Sequence, residues 1–176
     1  MAIHDVLTRV SSDQPLTGGG LFLSDKSWDV STGGDSRLRD ILRGNPIACR
    51  LQVTEAFVSA GASLLVPYLT LAQNSDLTGI QILVPLVAAD SSQAVAIALG
   101  GLAGISKGDL TLGAEFAFIL PKIPDTLLDT TLGRRYLGMT YVITVANFTA
   151  GKVTVDFGHH FGGNTPPIFG IGYAGP

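Results

Sequence analysis

The chain has 176 residues, a formal net charge of −3 from 11 Lys and Arg against 14 Asp and Glu, and a single cysteine, Cys49. No basic excess is available to neutralise phosphates, which argues against direct nucleic-acid binding, and one cysteine excludes an internal disulfide framework or a multi-cysteine metal site. Charged residues make up 14% of the chain, against about 25% in ordinary globular domains, so much of the surface is expected to lie against other subunits or in a membrane.

From the start, MAIHDVLTRV lacks a basic segment followed by an apolar one, so no secretory signal is expected. TGGG at 17–20 is read as a loop, because its spacing does not match a phosphate-binding G-x-x-x-x-G-K-[ST] turn. SRLRDILRGN at 36–45 could form one or two helical turns stopped by Gly44. Cys49, Leu51 and Val53 then alternate with Arg50, Gln52 and Thr54, the period of a half-buried strand.

AFVSAGASLLVPYLTLAQNS at 56–75 is free of charge and nominally long enough to span a bilayer, but Gly61, Pro67 and scattered polar residues leave only LLVPYL as a dense apolar centre. Burial by partner subunits is therefore preferred to burial in lipid, and no membrane association is expected. Shorter apolar runs follow at 65–71, 81–84 and 94–99, with Pro67 and Pro85 suited to edges or bulges. GGLAGISKGD at 100–109 reads as a loop, and Leu112, Ala114, Phe116, Phe118 and Leu120 alternate with Thr111, Gly113 and Glu115.

Leu137, Met139, Tyr141, Ile143 and Val145 form one apolar face of a further strand, and Val153, Val155 and Phe157 one face of the next. NFTAG at 147–151 supplies turn chemistry between them, which predicts a hairpin; as a glycosylation sequon, NFT is read simply as a turn. EAFVSAGASLL at 55–65 echoes VANFTAGKVTV at 145–155, each placing Phe before an Ala-Gly turn, and predicts a second hairpin of the same kind. Many short strands broken by 22 glycines and 9 prolines indicate an all-β sandwich or barrel over residues 1–158. Residues 159–176, HHFGGNTPPIFGIGYAGP, read as an extended Gly/Pro-rich C-terminal arm.

Candidate chemistry is sparse. His159 and His160 are adjacent and would point to opposite faces of a strand, and His4 is the only other histidine, so neither a metal site nor a cupin-type enzyme is indicated. No nucleophile motif surrounds any serine, Cys49 is read as a small packed side chain, and Glu55 with Glu115 is the kind of carboxylate pair any β-protein offers by chance. A carbohydrate-binding module would need an exposed aromatic beside acids, for which Trp28, between Asp25 and Asp29, is the one tryptophan available.

Three patches carry a resemblance: SSDQPLT (11–17), RDILRGNPI (39–47) leading into ACRLQVTEAF (48–57), and RRYLGMTYVITVANFTAGKVTVDF (134–157). In this order they resemble the jelly-roll capsid cement (decoration) proteins of tailed bacteriophages. The first is similar to an S-x-x-Q-x-L-T opening, the second to an R-D-x-x-x-G-x-P-L entry with Ile47 for Leu, and the third to R-Y-L-x-x-x-Y-x-V followed by T-A-G and a last strand. The long glycine-rich region at 74–109 and the apolar arm depart from that pattern.

The resemblance implies a jelly-roll-like β-sandwich made in the host bacterial cytoplasm and bound to the capsid exterior of the virion. There it would bridge major capsid proteins as a homo-oligomer, a homodimer rather than a homotrimer, without cofactor or catalytic activity. Another virion role, in the tail or in head completion, and a jelly-roll lectin are the alternatives. Phe161, Ile168, Phe169, Ile171 and Tyr173 are expected to clamp a neighbouring subunit. Arg134 and Arg135, one of two small basic spots (the other being Arg37, Arg39 and Arg43), read by default as solvated loop charges, with anchoring of an acidic partner as the alternative.

Overall fold

Period-two alternation needs two faces to fill, and here it produces two sheets. The computed structural model describes residues 9–29, 48–79, 81–86, 104–119 and 136–158. Its strands are β1 (Arg9–Pro15), β2 (Gly18–Leu23), β3 (Trp28–Asp29), β4 (Ala48–Val58), β5 (Leu64–Ala72), β6 (Gln81–Pro85), β7 (Ile105–Ser106), β8 (Glu115–Ile119), β9 (Tyr136–Phe148) and β10 (Ala150–Gly158). One sheet has the order β1-β10-β4-β8; the other has β2-β9-β5-β6, with β3 also on β9 and β7 also on β5. Every pairing is antiparallel. No helix among the described residues is long and apolar enough to cross a membrane.

The core lies between the sheets. Cys49, Leu51 and Val53 of β4, Phe116 and Phe118 of β8, and Val153, Val155 and Phe157 of β10 meet Leu65, Leu69 and Leu71 of β5 and Leu137, Met139, Tyr141 and Ile143 of β9. These are the residues that alternation assigns to one face of each strand, and stacked antiparallel sheets bury such faces together.

Connectivity differs from the sequence expectation. β9 and β10 do not form a hairpin: β9 belongs to the second sheet and β10 to the first, so the chain crosses the sandwich at Thr149. The echoing segment does the same, carrying the chain from β4 in the first sheet to β5 in the second. Alternation buries the same side chains in either arrangement, so it could not tell a hairpin from a crossing. The two corners meet: Phe57 and Phe148 pack edge to face at 4.7 Å, a favoured aromatic geometry. Gly151 lies against the Phe57 ring with no room for a Cβ.

Three further expectations are corrected. TGGG is not simply a loop, since β2 begins at Gly18. Pro67 lies in an interior strand, yet its carbonyl accepts from Leu86 N–H at 3.2 Å, just beyond the last β5–β6 pair, Tyr68 with Pro85; its missing donor therefore faces a gap where the ladder ends. Leu112 is not inward but 70% exposed, because Gly113 at φ 81 breaks the phase of alternation before β8 begins.

A buried polar network fastens β1 to the opposite sheet. Ser11 Oγ–H donates to Gln14 Oε1 at 2.6 Å and lies 2.7 Å from Tyr141 OH, while Gln14 Nε2–H donates to the Leu23 carbonyl at 2.6 Å. The single hydroxyl hydrogen of Ser11 is committed to Gln14, so Tyr141 is the donor to Ser11.

Candidate docking surface

The two outer faces have opposite character. On the first sheet, Arg9 Nε bonds Asp156 Oδ1 at 3.0 Å, Asp156 stands opposite Arg50, and Arg50 reaches Glu115 at 2.9 Å. Charge thus alternates across all four strands. Lys152 and Glu55 add a pair at 2.7 Å, the carboxylate holding the ammonium pKa above its ordinary value.

The outer face of the second sheet is different. Leu64, Val66, Tyr68, Thr70 and Ala72 of β5 stand opposite Thr144, Val142, Thr140, Gly138 and Tyr136 of β9, and Leu21 and Leu23 of β2 continue the rows. None of these is an acid, a lysine or an arginine. Part of the face is roofed by the chain: Leu77 sits over Gly138, and Val66, Ala72 and Leu77 are buried outside the central core. Thr70 and Thr140, both fully buried, satisfy each other at 2.6 Å.

Leu21 on this face is 53% exposed, and the other large apolar residues that are exposed lie at one end of the sandwich. It is built by the corners β1–β2, β4–β5 and β9–β10 and by the turn at 107–114. Segments 14–24, 56–66 and 142–151 contain no charged residue. Backbone bonds tie the corners together: Thr149 N–H donates to Val58 O at 2.7 Å, Leu16 N–H to Gly151 O at 3.0 Å and Phe57 N–H to Leu110 O at 3.1 Å. Ser63 Oγ–H donates to Ser59 Oγ at 2.6 Å, Gly61 N–H to the same oxygen at 3.2 Å, and Lys107 Nζ to Ser59 O at 2.5 Å. These serines serve the corner; no histidine accompanies them among the described residues.

From this end project Val58, Leu112 and Val145, which are 50%, 70% and 76% exposed. Val145 has φ 75, a genuine outlier for a β-branched residue. It falls in a bulge where Gly18 to Gly20 of β2 spans Phe148 to Ile143 of β9. Ala146 packs on Gly61 and the Asn147 amide covers Gly19, so the neighbours fix the bulge. Full burial of an aliphatic side chain is worth about 1.5–3 kcal/mol, so covering these three would yield roughly 3–6 kcal/mol. Association itself costs about 4–15 kcal/mol. Covering this end alone would not hold a partner tightly.

The sequence candidates for chemistry fall elsewhere. Cys49 is fully buried, and burial first, then Asp156, pushes its thiol well above the ordinary range, which opposes a nucleophilic role. Glu55 and Glu115 are each held by a separate cation. Trp28 is a core residue, edge-on to Phe157 at 4.9 Å, and so unavailable to stack on a sugar. His4, His159, His160, Arg134, Arg135, Phe161, Ile168, Phe169, Ile171 and Tyr173, with the segment at 36–45, lie outside the described residues.

Sequence reasoning missed Val58, Leu112 and Val145 as surface residues. The signal for Val145 was present only as the onset of the NFTAG corner. Comparison with known proteins finds no family model and no curated protein that matches the chain.

Proposed function

We propose that the protein is a structural component of a bacteriophage particle, a cement protein that decorates the capsid exterior and stabilises contacts between major capsid proteins. The observation that carries this reading is the charge-poor corner end of the sandwich, where Val58, Leu112 and Val145 are exposed, on a chain with few charges overall. Large apolar side chains exposed on a chain so poor in charge support a surface that a partner covers. A contact too weak to hold one copy becomes effective when each copy bridges several sites on a lattice.

The sandwich is read as a jelly roll. The orders β1-β10-β4-β8 and β2-β9-β5-β6 support this, because each sheet interleaves early and late strands as two Greek keys folded together do. The C-terminal arm, with Phe161, Ile168, Phe169, Ile171 and Tyr173, would add a clamp on a neighbouring subunit, and Arg134 and Arg135 an anchor. Self-association as a homodimer is part of the same reading.

Electron cryomicroscopy of particles from the virus that encodes the chain tests the proposal. Density for the sandwich is expected outside the shell, bridging capsid subunits. Density confined to the tail or neck would assign another virion role, and absence of the chain from purified particles would refute a structural one.

A further inference from the structure

We infer that the free edge of β2 pairs with β2 of a second copy, antiparallel about a two-fold axis at Leu21, joining the second sheets of two molecules into one; this rests on the homodimer of the reading above and gives it a surface. The hydrogen-bond pattern decides which backbone groups are available. Ser24 N–H donates to Met139 O of β9. Two residues back, Phe22 turns its N–H and C=O toward β9 in the same way, while those of Leu21 and Leu23 turn away from it. On that far side the Leu23 carbonyl accepts from Gln14 Nε2 at 2.6 Å. Among the described residues no strand pairs with this edge. Gly19 and Gly20, whose only surface is backbone, are exposed beside it, and Leu21 is 53% exposed.

Proteins block open strand edges with charge, proline or bulges. Among the described edge strands, β1 carries Asp13, Pro15 and two register shifts, β8 carries Glu115, and β6 ends on Pro85. β2, GGGLFL, has neither charge nor proline, and its register shift, between Gly18 and Gly20, lies before Leu21. An identical strand is the occupant that suits such an edge. In a two-fold pair each group meets its own copy, so the Leu21 N–H and C=O exchange two bonds with those of the other Leu21, at about 5.5 Å between Cα atoms. The two exposed leucine side chains then stand side by side on one face and cover each other. An uncharged strand paired with itself brings no like charges together, whereas another chain would have to bring an unguarded edge of its own. One strand pair buries less than the roughly 800 Å² per partner of a standard interface, so this dimer dissociates on dilution.

The test is analytical ultracentrifugation of the full chain from about 10 μM to about 1 mM, the range in which so small a contact forms, with the variants Leu21→Lys and Leu112→Lys. Wild type is expected to pass from monomer to dimer. Leu21→Lys is expected to keep the wild-type melting temperature within a few degrees and to raise the dimer dissociation constant at least about tenfold, because like charges then stand opposite each other. Leu112→Lys, an equally exposed leucine elsewhere, is expected to leave the dimer unchanged. Hydrogen exchange on wild type gives the same answer without a substitution: the Leu21 amide is expected to slow as the protein is concentrated. A wild-type monomer throughout overturns the inference and the homodimer together, and leaves capsid binding to be judged on the particles. A wild-type dimer that Leu21→Lys does not weaken, or a Leu21 amide that exchanges equally fast at both concentrations, overturns the β2 edge alone. Open-ended association beyond two copies refutes the closed two-fold pair.

Discussion

The Ser11–Gln14–Tyr141 network makes a prediction whose sign is fixed by hydrogen counting. Tyr141→Phe removes a donor but leaves Ser11 Oγ still donating to Gln14 Oε1. Its cost is that of one neutral hydrogen bond, about 0.5–1.5 kcal/mol. Ser11→Ala removes the centre of the network and strands both the Tyr141 hydroxyl and Gln14 Oε1. Each buried orphan costs about 1–3 kcal/mol, so the variant should lose about 2–6 kcal/mol. Combining the two changes leaves only Gln14 Oε1 stranded.

The double variant should therefore be no less stable than Ser11→Ala alone, and up to about 2 kcal/mol more stable. Urea unfolding of wild type, both single variants and the double variant measures this cycle, with equal m-values as the check that the end states are unchanged. Additive losses would refute a direct hydrogen bond between Ser11 and Tyr141. A Ser11→Ala loss no larger than that of Tyr141→Phe would refute the claim that the network is sealed from water.

Stability should fall at alkaline pH. Burial raises the Cys49 and Tyr141 pKa values well above their ordinary values; the neutral forms are favoured in the fold, so their contribution is complete below about pH 8 and is lost as pH rises and the unfolded chain ionises. Denaturation midpoints at pH 8 and 10.5 check this, with a flatter profile expected for Cys49→Ala/Tyr141→Phe. Gly151→Ala should destabilise by at least about 2 kcal/mol, because its Cβ would enter the Phe57 ring at a φ of +142; thermal unfolding reads it. A chain ending at Gly158 should unfold cooperatively within a few degrees of wild type but wash off particles, measured by co-sedimentation.

The strands legible from sequence were those whose inward residues are all apolar, such as β8 and β10. β1 was invisible because its inward positions include Ser11 and Gln14, and register shifts between Arg9 and Ser11 and between Ser11 and Gln14 scramble the period. In β9, alternation placed Leu137 to Ile143 correctly and then failed at Val145, where the bulge reverses the faces. What the sequence did not contain was pairing: the faces of β9 and β10 are the same whether the strands are neighbours or lie in opposite sheets. The Phe-Ala-Gly echo was a real structural signal, since its two copies form the crossings that meet at Phe57 and Phe148.

The uneven distribution of charge leads to a last prediction. Acids and bases line the outer face of the first sheet in paired sequence, while the outer face of the second sheet and the corner end carry little or none. Exposed ion pairs are screened by salt, with a Debye length of about 10 Å at 0.1 M and about 3 Å at 1 M. Apolar contacts are not weakened this way, and excluded salts such as sulfate strengthen them. If the charge-poor end docks through its apolar side chains, retention on heads should be nearly flat from 0.05 to 1 M sodium chloride, on the order of twofold at most, and rise in ammonium sulfate. A tenfold loss across that range would mean that the charged face or the basic spots hold the particle. The corner end would then be a bystander.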